Sequence, residues 1–309
     1  MTSSMFSTRD VPWSKVGTVL DVPGITAAEA MTLAGLDFDI VKRPAAYWDD
    51  STESYVPVAG RVALVRDDND QFMNYATENY EPIQYRGAFD FMDEINPRYV
   101  AAGALKDGRQ GFIVAELPEL SDFSLHLRGQ EDPHKLYVLL RTSQDLTHGI
   151  EIMLTTLRGK CMNQLTLPSL KKGSEQMWSI RHTRNVRDRL EQAQGVILQA
   201  DEYVKTFEEM TAQLADIDVD FSEAQKLLTY VLPDKPQRDT QIDAIVNAFR
   251  HSKTVGFPGT GWGLVNAVDE YFEWLRPERR RTDESRFTTG LDGTAHKLTA
   301  RTASLLLSR

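Results

Sequence analysis

The residues best equipped for chemistry lie between Arg158 and Arg189. The stretch reads Arg158-Gly-Lys160-Cys161-Met-Asn163, then Lys171-Lys172-Gly, then Trp178-Ser-Ile-Arg181-His182-Thr-Arg184-Asn-Val-Arg187-Asp-Arg189. Eight Lys/Arg meet only Glu175 and Asp188 there, a local charge of +6 in a chain of −10. Cations neutralise phosphates, and an aromatic among them offers a face on which an unstacked base can lie. With 179–190 helical, Arg181, Arg184 and Arg187 recur at i, i+3 and i+6 on one side, away from Val186 and Leu190. Arg158, Lys160, Asn163, Lys171, Lys172, Trp178, Arg181, His182, Arg184 and Arg187 are therefore the candidate nucleic-acid contacts. The plainer alternative is a solvated loop running into a charged helix.

Signals for enzyme chemistry are weaker. Asp145 and His148, in the loop between two expected strands, form the best acid–base pair the chain offers, since histidine titrates near neutrality. The six histidines and Cys161 show no zinc spacing. Asp67, Asp68 and Asp70 lack the glycine and distal glutamate of a calcium loop, so a solvated turn is the better reading. Gly256-Phe-Pro-Gly259-Thr-Gly261-Trp262-Gly263 superficially resembles a phosphate loop, but no Lys-Ser/Thr follows. A tight turn that packs Trp262 fits it better. Arg276-Pro-Glu-Arg279-Arg-Arg281 is a second basic cluster, placed where a helix end also favours cations. No metal and no cofactor are expected.

The elements holding these residues follow from patterning. Apolar content of 41% and charged content of 26% over 309 residues predict a globular chain with a sizeable core. No apolar run is long enough to span a bilayer. One cysteine and a start without a secretory pattern point to a reducing cytoplasm.

Residues 1–60 read as irregular, apart from a short helix at 27–34 behind the capping-box pattern Thr26-Ala-Ala-Glu29. Strands are expected at 61–66, 71–75, 99–105, 111–117, 135–141 and 149–156, with a helix at about 86–95. From Ser179 the period becomes helical. Val186, Leu190, Ala193, Ile197, Ala200, Val204, Phe207 and Leu214 form a near-heptad stripe to about residue 214. Further helices fit 222–231, 238–250, 264–275 and a last one from Thr294. The fold class is α+β: a mostly antiparallel sheet with one or two packed helices over 1–178, then a helical lobe over 179–309. The length of the stripe also predicts a homo-oligomer.

Several motifs together carry a resemblance. Pro12-Trp13-x-x-x-Gly17, Tyr80-x-Pro82-Ile-Gln84, Cys161-x-Asn163, Ile180-Arg181-His182-Thr183 and Gly259-Thr-x-Trp262-Gly263-x-x-Asn266-Ala-Val268-x-Glu270-Tyr271 occur in this order. The chain thereby resembles phage- and plasmid-encoded proteins known only as a domain of unknown function. The resemblance implies a mobile-element protein working inside a bacterial cell, and no particular activity. Ser14-Lys15 stands where those proteins carry His-Gly, and Gln144 where they carry a histidine. At the level of fold analogy, short strands and a helix before a long helix also resemble phage single-strand annealing proteins of the Redβ and RecT type.

Three functions remain open on the sequence. The first is a non-enzymatic, oligomeric protein that binds single-stranded DNA and anneals strands in phage recombination or replication. The second is a phage effector that binds a host protein or defence component through its acidic faces at 1–120 and 193–245. The third is an enzyme acting on nucleic acid or nucleotide, with Asp145 and His148 as acid and base.

Overall fold

A computed structural model of the protein describes residues 25–89, 92–93, 97–117, 122–158, 195, 200–277 and 294–309, with strand segments at 5–7, 18–19, 164–165 and 177–180. The large sheet contains β1 (Met5–Ser7), β2 (Thr18–Val19), β6 (Arg98–Leu105), β7 (Gln110–Glu116), β8 (Asp122–Leu127), β9 (Gln130–Ser143), β10 (Ile150–Arg158), β11 (Gln164–Leu165) and β12 (Met177–Ile180). Its order is β11-β10-β9-β7-β6-β1-β2, antiparallel except at β1–β2. β8 joins β9 beyond β7, and β12 joins β10. A second sheet orders β3 (Ile40–Asp49), β4 (Ser54–Arg66) and β5 (Phe72–Thr77). The fold is α+β.

Alternation sorts the central strands into two faces. Ala102, Ala104, Ile113, Ala115, Leu136, Val138, Leu140, Ile152 and Leu154 pack with helices α1 (Ala27–Leu33) and α2 (Tyr85–Phe89). Ala101, Leu105, Phe112, Val114, Tyr137, Leu139 and Met153 form a separate buried cluster. The capping box at α1 is present: the Glu29 amide donates to Thr26 Oγ1 at 3.3 Å, and the Thr26 amide donates to Glu29 Oε2 at 2.8 Å. The β8–β9 turn, Arg128 (φ 48°) and Gly129 (φ 75°), has the two positive φ angles of a tight two-residue hairpin.

A helical core follows. It is built on α3 (Ala200–Asp216), α4 (Phe221–Val231), α5 (Arg238–His251), α6 (Gly261–Glu270) with a π-helical turn at Tyr271–Leu275, and α7 (Thr294–Leu307). Two elements belong to both cores. Ala200 and Tyr203 of α3 lie in the sheet core, whereas its Phe207, Met210 and Leu214 lie in the helical one. Leu125 and Leu127 of β8 also insert among the helices. Arg128 at the hairpin tip binds the Asp216 carbonyl at 3.1 Å and the Asp218 carboxylate at 2.8 Å.

Two expectations need correction. Residues 40–49 and 54–60 are strands, not irregular chain. Their hairpin projects beyond β5 with Tyr47, Trp48 and Tyr55 exposed, so no half-buried alternation marked it in the sequence. Residues 179 and 180 are also strand rather than helix: Met177–Ile180 pair with Met153–Ile150 of β10 and satisfy backbone groups on that strand's outer edge. Val186, Leu190, Ala193 and Ile197 of the apolar stripe lie outside the described residues. In the described part, Ala200, Phe207 and Leu214 are buried within the chain itself.

Candidate functional site

The loop from β9 to β10 gathers the polar residues expected to act together, but it separates Asp145 from His148. One Asp145 oxygen accepts from the Thr147 amide at 3.1 Å and from the Thr147 hydroxyl. The other accepts from Gln110 at 3.3 Å and faces Lys106 Nζ at 3.7 Å. Burial opposes the ionised form, yet the Thr147 bonds and Lys106 outweigh it and hold the Asp145 pKa below its ordinary value. His148 turns instead to Glu151, with Nδ1 at 3.5 Å from Oε1, and Glu151 also pairs with Arg141. A carboxylate held ionised and engaged elsewhere neither orients this imidazole nor relays its proton. The acid–base pair does not form.

The Asp67–Asp70 turn disperses its acids as well. Asp67 accepts from the Asp39 amide at 2.9 Å, Asp68 binds the Arg66 guanidinium through both oxygens at 2.8 and 2.6 Å, and Asp70 faces Arg43 at 3.7 Å. No group of three metal-ligating side chains converges among the described residues.

Lys160, Asn163, Lys171, Lys172, Arg181, His182, Arg184 and Arg187 lie outside the described residues, and only the backbone is described for Arg158 and Trp178. The strands on either side of them are described. Arg158 ends β10 and pairs with His134, β11 returns against Thr156–Leu157, and β12 returns against Ile150–Met153. The chain from Arg158 to Ile180 therefore leaves and rejoins the same strand at one edge of the nine-stranded sheet, and Arg181 to Arg189 follow it in sequence. Trp178 is a strand residue opposite Ile152, not the entrance of a helix.

The polar centre that the sequence reading missed joins the two cores. Asp132, His134 and Trp262 are all buried. Asp132 Oδ2 lies 3.1 Å from His134 Nε2 and accepts from the Trp262 indole at 3.1 Å. Phe123 stacks on the His134 ring at 5.4 Å and Phe207 meets it edge-on at 5.2 Å. Trp262 and Asp132 are 130 residues apart, so no local motif announces the bond. The alternation Phe123-Ser-Leu125-His-Leu127 followed by Arg-Gly was a usable signal for the hairpin that delivers Asp132.

The remaining shared motifs are architectural here. Gln84 accepts from the Ile40 amide at 2.7 Å and donates to the Ile40 carbonyl at 3.0 Å, tying the chain after β5 to the edge strand β3. Buried Gln144 donates to the Ile83 carbonyl at 2.6 Å. Thr260 caps α6 by accepting from the Gly263 amide at 3.0 Å. A Cβ on Gly263 would sit 2.1 Å from the Phe257 carbonyl oxygen, so this glycine loop is a close-packed turn under Trp262. Glu270 accepts from Ser252 at 2.9 Å and from Thr254 at 2.8 Å. Its neighbour Asp269 is fully buried and takes one bond, from Thr299 at 3.1 Å. Burial first, and the Glu270 charge after it, push the Asp269 pKa up to about 8 against the lowering effect of Thr299.

No described helix is long and apolar enough to cross a membrane. The family profile described as a domain of unknown function (DUF932) matches residues 73–297. No curated protein and no solved structure matches the chain.

Proposed function

The chain belongs to DUF932, a family defined as a domain of unknown function, so its activity must be argued from its own residues, and we propose that it binds single-stranded DNA without being an enzyme. The observation that carries this reading is the concentration of eight cations between Arg158 and Arg189 in a chain of charge −10. Strands β10, β11 and β12 support it, because they tie the part from Arg158 to Trp178, with Lys160, Lys171 and Lys172, to one sheet edge at both ends, and Arg181 follows β12 directly. Cations anchored in this way lose less freedom on meeting a phosphate backbone than cations on a free tail. In this reading Lys171, Lys172, Arg181 and Arg184 neutralise phosphates, while Trp178 stacks on a base. The protein works as a homo-oligomer in the cytoplasm of a bacterial host, annealing strands during phage recombination or replication.

The test is a salt titration of binding to a fluorescent oligonucleotide. Each phosphate-contacting cation replaced should lower the log–log salt slope by about 0.7 for single strands. Wild-type affinity and slope in a folded Lys171, Lys172, Arg181, Arg184→Ala variant would overturn the reading. Light scattering supplies the mass, and a monomer with and without oligonucleotide would overturn the oligomer.

One observation favours the second reading, a protein partner. The β3–β4 hairpin exposes Tyr47, Trp48 and Tyr55, and from Pro44 to Gly60 it carries Asp49, Asp50 and Glu53 with no Lys or Arg. Aromatics edged with acid suit a basic protein surface and repel nucleic acid. Binding of a basic host-cell protein that is lost in Trp48→Ser/Tyr55→Ser and kept in the four-cation variant, with oligonucleotide binding unchanged by the arm substitutions, would favour this arm over the basic stretch.

A further inference from the structure

A cavity of about 600 Å³ opens between the turn before α5, the first turn of α5, the π-helical turn and α7. Its polar lining is Lys235, Gln237, Thr240, Gln241 and Arg276, and its apolar wall includes Pro233, Tyr271, Phe272 and Leu298. We infer that this cavity binds a small organic phosphate with a flat ring, a nucleoside monophosphate, separately from the proposed DNA contacts.

The charge is the first argument. Acids outnumber bases 45 to 35 in the chain, yet the described residues lining this cavity include two cations and no carboxylate. Neither Lys235 nor Arg276 makes an ion pair among the described residues, whereas Arg238 beside them pairs with Asp234 at 3.0 Å. Two such cations facing one cavity leave it complementary to a dianion, and a guanidinium can hold phosphate oxygens in pairs.

The backbone is the second argument. The Arg276 amide donates to the Tyr271 carbonyl at 2.8 Å, a bond across five residues that closes the π-helical turn. Turns of this kind are rare and cluster at functional sites. Here the turn sets the Arg276 guanidinium 5.7 Å from the Phe272 ring centroid, at the cavity wall. The basic cluster beginning at Arg276 thus contributes a side chain to an open cavity and is more than a helix end.

Size and shape supply the third. Small-ligand sites span about 300–1,000 Å³ and combine an apolar wall with a few convergent polar groups. Lys235 and Arg276 would take the phosphate, the amides of Gln237 and Gln241 and the Thr240 hydroxyl would take ribose or base edges, and the ring would lie against Tyr271, Phe272 and Leu298. Inorganic phosphate shares only the first of these contacts, and an unphosphorylated nucleoside only the rest.

Calorimetric titration of the full chain with adenosine 5′-monophosphate, inorganic phosphate and adenosine tests the assignment. The monophosphate should bind with a dissociation constant of about 1 mM or tighter, and phosphate and adenosine at least about tenfold more weakly. Lys235 is exposed, so Lys235→Gln leaves the fold intact. It should weaken the monophosphate by about tenfold, as loss of a charge-assisted bond does, and Arg276→Gln by as much or more. No binding at about 5 mM monophosphate, binding by phosphate equal to the monophosphate, or wild-type binding by Lys235→Gln would each overturn the site. Both variants should bind a long oligonucleotide like wild type, so failure here and failure of the DNA reading remain distinguishable.

Discussion

The indole of Trp262 donates to Oδ2 of Asp132 at 3.1 Å in a fully buried setting, and this bond stitches the β8–β9 hairpin to helix α6. His134 approaches the same oxygen at 3.1 Å. A buried carboxylate oxygen must keep its donors, because desolvation without them costs more than any one bond returns. Trp262→Phe keeps an aromatic in the site and removes the donor. It should lower unfolding free energy by about 1.5–3 kcal/mol, and Trp262→Ala by about 3–5 kcal/mol through the cavity it leaves. Urea midpoints measure both, and an unchanged midpoint in Trp262→Phe would mean that the bond contributes nothing to joining the cores.

Elements held by local chemistry were readable from the sequence. The Thr26/Glu29 box, the Lys106-Asp-Gly turn and the apolar periods of α4, α5, α6 and α7 each declare themselves within a few residues. The β3–β4 arm did not, because strands exposed on both faces carry no alternation to detect. Residues 179 and 180 read as the start of a helix because Met177–Ile180 is too short to show a strand period, and what makes it a strand is the edge of β10. Sequence proximity suggested the Asp145–His148 pair, but the loop gives each residue a different partner, Thr147 and Glu151 respectively. The Asp132–Trp262 bond spans both lobes and has no local signature.

Asp269 predicts a loss of stability as pH rises from the acid range to about 8. Its folded pKa of about 8 lies far above the unfolded carboxylate value, so the folded chain holds a proton that the unfolded chain has released. Unfolding free energy from this group therefore falls as pH rises from about 4 to about 8 and is flat above. Asn mimics the neutral carboxyl, so Asp269→Asn should flatten that slope and exceed wild type most at about pH 9. Urea midpoints at about pH 5 and about pH 9 check this; an equal gap at both would show that Asp269 does not hold its proton.

Asp145 predicts the opposite sign at the acid end. Its folded pKa is depressed, so its contribution is present above the unfolded value of about 3.9 and disappears as pH falls through the lower folded value. Asp145→Asn keeps the shape, loses the ionic part of the Thr147 and Lys106 contacts, and should be less stable than wild type near neutrality. The difference should close in acid, as pH falls below the depressed folded value. A constant difference from neutrality into acid, read by thermal melts, would assign the loss to packing instead.

Gly263 and Gly259 separate two causes that a glycine loop confounds. At Gly263 a Cβ would sit 2.1 Å from the Phe257 carbonyl oxygen and 3.0 Å from the Phe249 ring. The first of these neighbours is backbone, and the Gly263 amide is fixed by the Thr260 cap at 3.0 Å, so neither side can yield cheaply. Gly259 meets nothing within 4 Å but holds φ at +79°, a conformation in which L-residues are strained. Gly259→Ala should therefore cost about 1–2 kcal/mol of backbone strain alone. Gly263→Ala must displace the turn under Trp262 and should cost more than about 4 kcal/mol, in the range of severe core disruption. If the loop were instead shaped to admit a phosphate, space would remain above Gly263 and the two variants would unfold at similar urea concentrations. A midpoint for Gly263→Ala close to that of Gly259→Ala would therefore overturn the close-packed assignment.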